Sequence, residues 1–328
     1  MNEYVDKFGG VRDYILGITT EIWEKRGVGP ALRKYYADDV VVRAANGILT
    51  GNSSIIAATL QTLHEFPDRQ LIGEDVIVNG DSAQGYLSSH RLLSVMRHTG
   101  DGAYGKATGK LVRSRIIAEC WVLNGQVVEE WLARDQGAFA RGLGMTAEQL
   151  ARQQAEQDLR VNGKVSSFTP ADDVAGEFVP KIERGDKADV YAAGWSEIWN
   201  DKHPAAIASL YSAGAAVEAP GGESVNGHRD LDRFVVGYLA SFPDAKFRIE
   251  QLMVNDEEGQ ATRLAMRWSM DATHSGWGRF GMPSGAPVYI MGLTHAQMVD
   301  GVVTMEWILV DEVSVWKQII AHEQNTAP

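Results

Sequence analysis

The stretch Asn124-Gly125-Gln126-Val127-Val128-Glu129-Glu130-Trp131-Leu132-Ala133-Arg134-Asp135 returns later in the chain as Asp300-Gly301-Val302-Val303-Thr304-Met305-Glu306-Trp307-Ile308-Leu309-Val310-Asp311. Both copies open on a turn dipeptide, continue through a strand-like run and close on Trp-x-x-x-Asp, which reads as the second arm of a β-hairpin. Working outward, Trp23 recurs as Trp199, Phe66-Pro67-Asp68 as Phe242-Pro243-Asp244, and His98 as His274. Every pair is 176 positions apart, so the copies align with no net insertion or deletion from Trp23 to Asp135. That period is far too long for a solenoid repeat, and 328 residues suffice for two ordinary domains, each with its own core.

Within the first copy, Val11, Tyr14, Ile15, Ile18 and Ile22 fall at helical spacing and predict an amphipathic helix over 10–26. Gly27 and Gly29-Pro30 end it, and Pro30 suits the first turn of a second helix reaching Tyr36. A short strand at 40–42 closes at Asn46-Gly47, and Ser53 or Ser54 caps a third helix to about His64, stopped by Phe66-Pro67-Asp68. Strands follow at 71–79, 83–97, 111–123 and 127–135, with the glycine-rich stretch from His98 to Gly105 between the second and third of them. Three helices and then a mostly antiparallel curved sheet make an α+β domain. Between the copies, Thr146 and Gln149 form a capping box for a helix over 146–158, and 161–185 reads as a Ser-, Pro-, Gly- and acid-rich linker. The expected division is domain one at 1–145, helix and linker at 146–185, and domain two at 186–328.

His98-Thr99-Gly100, Gly105, Thr108-Gly109-Lys110, the run from Asn124 to Trp131, and Asp135 together resemble the SnoaL-like polyketide cyclase family of the NTF2-like superfamily. His274-Ser275-Gly276, the stretch Gly281 to Gly285, the run from Asp300 to Trp307, and Asp311 repeat the resemblance. It spans about 8–143 and 184–322. It implies two tandem cone-shaped α+β barrels, three helices on a curved sheet each, wrapped around an apolar pocket and imitating within one chain the dimer common in the superfamily. It also implies acid–base side chains acting without metal or cofactor on a small hydrophobic, aromatic or polycyclic substrate, by cyclase, lyase or dehydratase chemistry. Members that only bind a small ligand or a protein keep a non-catalytic module open as the alternative.

Alternation along the strand 112–122 puts Arg113, Arg115, Ile117, Glu119 and Trp121 on one face and Val112, Ser114, Ile116, Ala118 and Cys120 on the other. Either the charged row meets solvent or an interface, or Arg115 and Glu119 enter the pocket, where arginine would hold an enolate, phenolate or carboxylate. In the second copy that row is Tyr289, Met291, Leu293, His295 and Gln297. Asp135 and Asp311, each four residues past a tryptophan (Trp131, Trp307), read as acid–base groups or as caps of a following helix. Glu130 and Glu306 are repeated nearby and leave the register open. His98 and His274 read as proton partners or as hairpin residues. Tyr14, His90, Trp131, Trp268, Tyr289 and Trp307 complete the candidate pocket lining. No His-x-His or His-x-x-x-His spacing occurs, so no metal site is assigned.

Composition narrows the partners. With 43 acidic against 31 basic residues and a net charge of −12, nucleic acid or an anionic membrane is not expected as main partner. The single cysteine, Cys120, excludes an intrachain disulfide and a cysteine-cluster metal site. It reads as a buried, inert thiol. The N-terminus MNEYVDKFGG lacks a signal-peptide apolar core, and no apolar stretch approaches membrane-span length, so a cytoplasmic protein is the expectation, with further homo-oligomerisation left open. Phosphate-binding loops, dinucleotide fingerprints and nucleophile elbows are missing from the sequence.

Overall fold

The structure, a computed structural model, describes Val5 and residues 7–326. The other residues of the polar N-terminal stretch read above, 1–4 and 6, lie outside the described residues. The chain divides into two compact units, one of Met1–Thr146 with Phe168–Val179, the other of Ala147–Ser167 with Pro180–Pro328.

The first unit contains α1 (Val11–Thr19), a π-helical turn (Thr20–Glu24), α2 (Val28–Tyr35), β1 (Tyr36–Ala44), β2 (Gly47–Thr50), α3 (Asn52–Glu65), β3 (Gln70–Asp81), β4 (Gly85–Arg97), β5 (Leu111–Leu123), β6 (Gln126–Arg134) and α4 (Gln136–Leu143). Its sheet runs β2-β1-β6-β5-β4-β3. All pairings are antiparallel except β1 with β6. The expected barrel is therefore an open mixed sheet with β2 and β3 at its edges. The second unit starts with α5 (Ala147–Asn162), then α6 (Asp186–Trp199), α7 (Ile207–Leu210), β7 (Tyr211–Ala219), β8 (Glu223–Asn226), α8 (Gly227–Ser241), β9 (Lys246–Asn255), β10 (Thr262–Thr273), β11 (Pro287–Val299), β12 (Val302–Val310) and α9 (Glu312–Thr326). Its sheet has the same order, β8-β7-β12-β11-β10-β9. Two copies of one α+β fold follow each other.

Burial decides which face of each sheet carries the core. Ala118, Cys120 and Val122 of β5 and Leu132 of β6 pack with Tyr14, Ile15 and Ile18 of α1 and Leu32 and Tyr35 of α2 in one apolar cluster. The small, even-numbered row of β5 thus faces the helices, and the row of Arg113, Arg115 and Glu119 faces away, because neighbours along a strand point to opposite sides. Residues 168–179 cover part of that other face. Phe178 packs on Trp121 and Trp131 at centroid separations of 5.8 and 5.4 Å. Arg43 bonds Glu129 (2.7 Å), Asp173 (2.5 Å) and the Val174 carbonyl (2.7 Å). What reads as linker is in this part a strap on the first unit.

The constant spacing hides compensating one-residue shifts. Buried Val11, Tyr14 and Ile18 correspond to buried Ala188, Tyr191 and Trp195, one position later than the spacing gives, while Ile22 corresponds to Ile198 at that spacing. The π-helical turn absorbs the extra residue. Tyr36 registers with Val127 as Tyr211 does with Val303, one position earlier than the spacing gives. The following turn restores it, with Ala45-Asn46 in the first copy and Pro220-Gly221-Gly222 in the second.

The glycines after His98 serve packing. Thr99 and Gly100 donate their N–H groups to the Glu65 carbonyl at the end of α3 (3.0 and 3.1 Å), and a Cβ on Gly100 would lie 2.2 Å from the His64 carbonyl oxygen. Gly276 meets the Ala240 carbonyl in the same way.

Candidate active site

Cross-strand partners share a face of the sheet, so register places side chains beside one another. On the helix-facing side, Ser88 of β4 sits opposite Cys120 of β5, and Cys120 opposite Glu130 of β6. The next row is His90, Ala118 and Leu132. Glu130 is buried and accepts a hydrogen bond from the Tyr36 hydroxyl (3.1 Å). Burial pushes its carboxyl above the usual range, against the opposing pull of Tyr36, Arg134 and the Cys120 thiol. Burial and the neighbouring Glu130 push Cys120 well up, so it is a poor nucleophile. His90 is buried, and desolvation draws its pKa down to about 4, leaving a neutral imidazole at neutral pH. Neither His90 Nδ1 nor Ser88 Oγ makes a hydrogen bond within the protein. Unmade bonds of this kind cost about 1–3 kcal/mol each, which a scaffold tolerates where the groups serve something else.

The second copy keeps the glutamate and loses the rest. Glu306 accepts from the Tyr191 hydroxyl (2.6 Å), the Tyr211 hydroxyl (2.7 Å) and Trp195 Nε1 (3.2 Å). Burial outweighs these bonds and pushes its carboxyl up to about 7. The positions of Ser88, His90 and Cys120 hold Leu264, Met266 and Ala296. Rings fill the surroundings: Trp195 lies 5.6 Å from Phe247, 5.7 Å from Trp268 and 5.9 Å from Trp199. In the first copy Tyr14, the counterpart of Tyr191, donates instead to the Gly125 carbonyl (2.8 Å), and burial raises its pKa.

Asp135 and Asp311 occupy N-cap positions: Asp135 Oδ1 accepts from Ala138 N–H (2.8 Å) and Asp311 Oδ1 from Ser314 N–H (2.9 Å). Asp135→Ala is expected to lower stability by about 1 kcal/mol, while Asp135→Asn, which retains an acceptor, unfolds near the wild type. Thermal unfolding decides it; an asparagine variant as weak as the alanine variant would show that the charge matters rather than the cap. His98 stacks on Phe66 (5.1 Å), and its Nδ1 lies 3.3 Å from Thr108 Oγ1. His274 has Ser284 Oγ at 3.1 Å, and burial lowers its pKa. Each histidine also pairs through its backbone across the hairpin, with Lys110 and Gly109 or with Ala286, Ser284 and Gly285.

The charged row lies on the wrong side for the pocket reading. Arg115 Nε binds Glu74 (3.1 Å) on the face turned from the helices, as does Arg91 (2.9 Å). Glu119 shares that face, paired in register with Ser89 and Trp131, and His295 shares it in the second copy with Trp307. Trp131 there lies under the Arg43 guanidinium at 4.9 Å, and Tyr289 is across from Asp271. Trp268 faces the core and donates to Thr294 Oγ1 (2.9 Å). Alternation sorted the rows correctly but could not say which one meets the helices, because both are largely buried. Of the helix-facing groups, the sequence offers Tyr14, His90 and, in the second copy, Trp268 as candidates. Ser88 and Tyr36 were missed, and the shared Tyr36–Glu130 and Tyr211–Glu306 pairs were masked by the one-residue shift.

Among the described residues no three His, Cys, Asp or Glu side chains gather as a metal site, and no described helix is long and apolar enough to cross a membrane. No curated protein matches the chain. Solved structures similar to it include AclR of Streptomyces galilaeus (20% identity over 40% of this chain and 92% of that one, TM-score 0.35). IdmH of Streptomyces antibioticus is another (20% identity, 40% and 98% coverage, TM-score 0.34). A SnoaL-like protein of Jannaschia sp. CCS1 is a third (18% identity, 47% and 99%, TM-score 0.37). The model of the SnoaL-like polyketide cyclases matches residues 14–143 and again 189–319. With both copies of the fold accounted for over most of its length, the chain belongs to the SnoaL-like polyketide cyclase family.

Proposed function

We propose that the first copy performs cofactor-independent acid–base chemistry of the cyclase type on a small hydrophobic, aromatic or polycyclic molecule held against the helix-facing rows of β4, β5 and β6. The observation that carries this reading is the buried Glu130 carboxyl, raised in pKa, near a neutral His90 whose Nδ1 and a Ser88 whose Oγ make no hydrogen bond within the protein. A carboxylate poised nearer neutrality is a stronger base than an ordinary one, and it becomes a usable acid once protonated. Glu130 would take a proton from the carbon beside a carbonyl. The C–H electron pair would pass to the carbonyl oxygen, where Ser88 and His90 would donate hydrogen bonds. The resulting enolate carbon would attack a second carbonyl, and Glu130 would return its proton to the new alkoxide. Arg115, Glu119 and His295 have no part in this scheme, and Asp135 and Asp311 hold helix ends. The second copy reads as non-catalytic, since three donors already occupy Glu306 and aromatic rings surround it.

Nitrobenzisoxazole tests the base without knowledge of the substrate, because its ring opens when a base removes its ring C–H proton. Wild type is expected to open it faster than buffer acetate, Glu130→Gln about a hundredfold more slowly, and Glu306→Gln at the wild-type rate. The base works ionised, so the rate should climb with pH to a plateau, with its midpoint above the ordinary carboxylate range. Equal rates for wild type and Glu130→Gln would sink the assignment.

A further inference from the structure

Beyond Glu130 on the same side of β6 lie Leu132 and then Arg134, in register with Ile116 at the end of the strand. Arg134 is exposed, and it is close enough to Glu130 to act on its charge. Arg69, between α3 and β3, lies within electrostatic range of Arg134, Arg26 and Tyr104. The Arg69 Nε is buried and makes no hydrogen bond within the protein. Arg26 reaches over to the Pro67 carbonyl, two residues from Arg69. Tyr104, within electrostatic range of Arg69, accepts a hydrogen bond from the Gln136 side chain at 3.1 Å.

Three guanidiniums so placed repel one another, and no carboxylate forms an ion pair with any of them among the described residues. The acids nearest in sequence are engaged elsewhere: Asp68 accepts from Arg97 N–H (2.7 Å) and Glu24 from Leu71 N–H (3.0 Å). Like charges held together without a salt-bridge partner cost stability through their mutual repulsion. Burial together with the neighbouring arginines pulls Arg69 down to about 10. The second copy has dismantled the cluster. Its equivalents are Lys202, Ala245 and Val310, and Lys202 is tied to the Trp199 and Ala245 carbonyls (2.8 and 2.5 Å). Tyr104 and Gln136 have become Phe280 and Glu312, and Glu312 carries an arginine of its own, Arg279.

We propose that Arg69 and Arg134, with Arg26 behind them, form an anion subsite at the end of the first copy's helix-facing rows, and that the molecule bound there carries a carboxylate or a phosphate. Guanidinium forks match the paired oxygens of either group. The inference rests on the reading that these rows hold the substrate, and it narrows that substrate from a neutral hydrophobe to an aryl acid or aryl phosphate.

Calorimetric titration with benzoate, benzamide and phenyl phosphate tests it on the intact protein, since a single ring is small enough for size not to decide the result. Wild type is expected to bind benzoate at least about tenfold more tightly than benzamide, and Arg134→Met and Arg69→Met to erase the preference. Phenyl phosphate binding more tightly than benzoate would assign a phosphate, the reverse a carboxylate. Equal affinity for benzoate and benzamide, no benzoate binding at millimolar concentration, or a preference that survives in both arginine variants overturns the subsite. Glu130→Gln separates the two ideas. Retained benzoate preference with unchanged ring opening of nitrobenzisoxazole leaves the subsite standing and removes the base. A lost preference in the arginine variants with no benzoate effect in Glu130→Gln places the anion at the guanidiniums rather than at the carboxyl.

Discussion

Arg43→Met is expected to destabilise the first unit by about 3–5 kcal/mol, as removing one member of a buried ion pair does. Arg43 and Glu129 are each 3% exposed and 2.7 Å apart, so the variant strands a carboxylate in a place water does not reach. It also releases the strap, because the same guanidinium holds Asp173 and the Val174 carbonyl. Glu129 retains one bond, from the Phe178 N–H at 2.7 Å, too little to solvate a charge. Arg43→Met with Glu129→Met should recover much of the loss, since an apolar pair of similar volume carries no desolvation cost. Urea unfolding gives the energies, and limited proteolysis between 168 and 179 reports the strap. A single variant as stable as wild type, with an uncut strap, would contradict the argument.

The second large effect concerns pH. Glu306 binds its proton up to about 7 when folded, against an ordinary value of 4.5. Between those values the folded state holds a proton that the unfolded state has released, so stability falls as pH rises across that window and levels off above it. The full drop is up to about 3 kcal/mol, from the size of the shift. Glu306→Gln, which cannot ionise, should give a flatter curve over the same window while it keeps an acceptor for a tyrosine. Denaturation midpoints at several pH values decide it; a variant with the wild-type slope would mean that other groups carry the pH dependence.

Much of the fold was legible in the sequence, because its cues are local. The repeat spacing, the turn pairs at Asn46-Gly47, Asn124-Gly125 and Asp300-Gly301, and the helical spacing of Val11, Tyr14, Ile15 and Ile18 each specify a nearby element. β5 begins and ends where the pattern places it, at Leu111 and Leu123. The site was less legible. The outward row of β5 mixes charges with Ile117 and Trp121, and the strap's Phe178 covers Trp121 and Trp131 there, so neither row is a plain solvent face from which the other could be assigned to the helices. The equivalence of Tyr14 with Tyr191 and of Tyr36 with Tyr211 is a matter of backbone register, since a π-helical turn shifts one pair and a connection one residue shorter in the second copy, between Ile198 and Tyr211, shifts the other. Arg26, Arg69 and Arg134 are isolated arginines in sequence and become neighbours only when α3, β3 and β6 have taken their places.

The order in which segments enter the two units has a consequence for synthesis. The first unit is finished only when residue 179 has been made, yet α5 leaves the ribosome before that strap does. The apolar side of α5, Leu150, Ala151 and Ala155, and the Asp158 carboxylate then await α9, whose Lys317 ammonium takes Asp158 at 2.6 Å. Between residue 162 and residue 312 that wait lasts on the order of ten seconds at ordinary elongation rates. A nascent chain paused after residue 179 and before residue 312 carries one complete fold and an orphaned amphipathic helix, the species on which a chaperone would act. A gene cut once between the copies would leave the second product without α5 or the first without its strap.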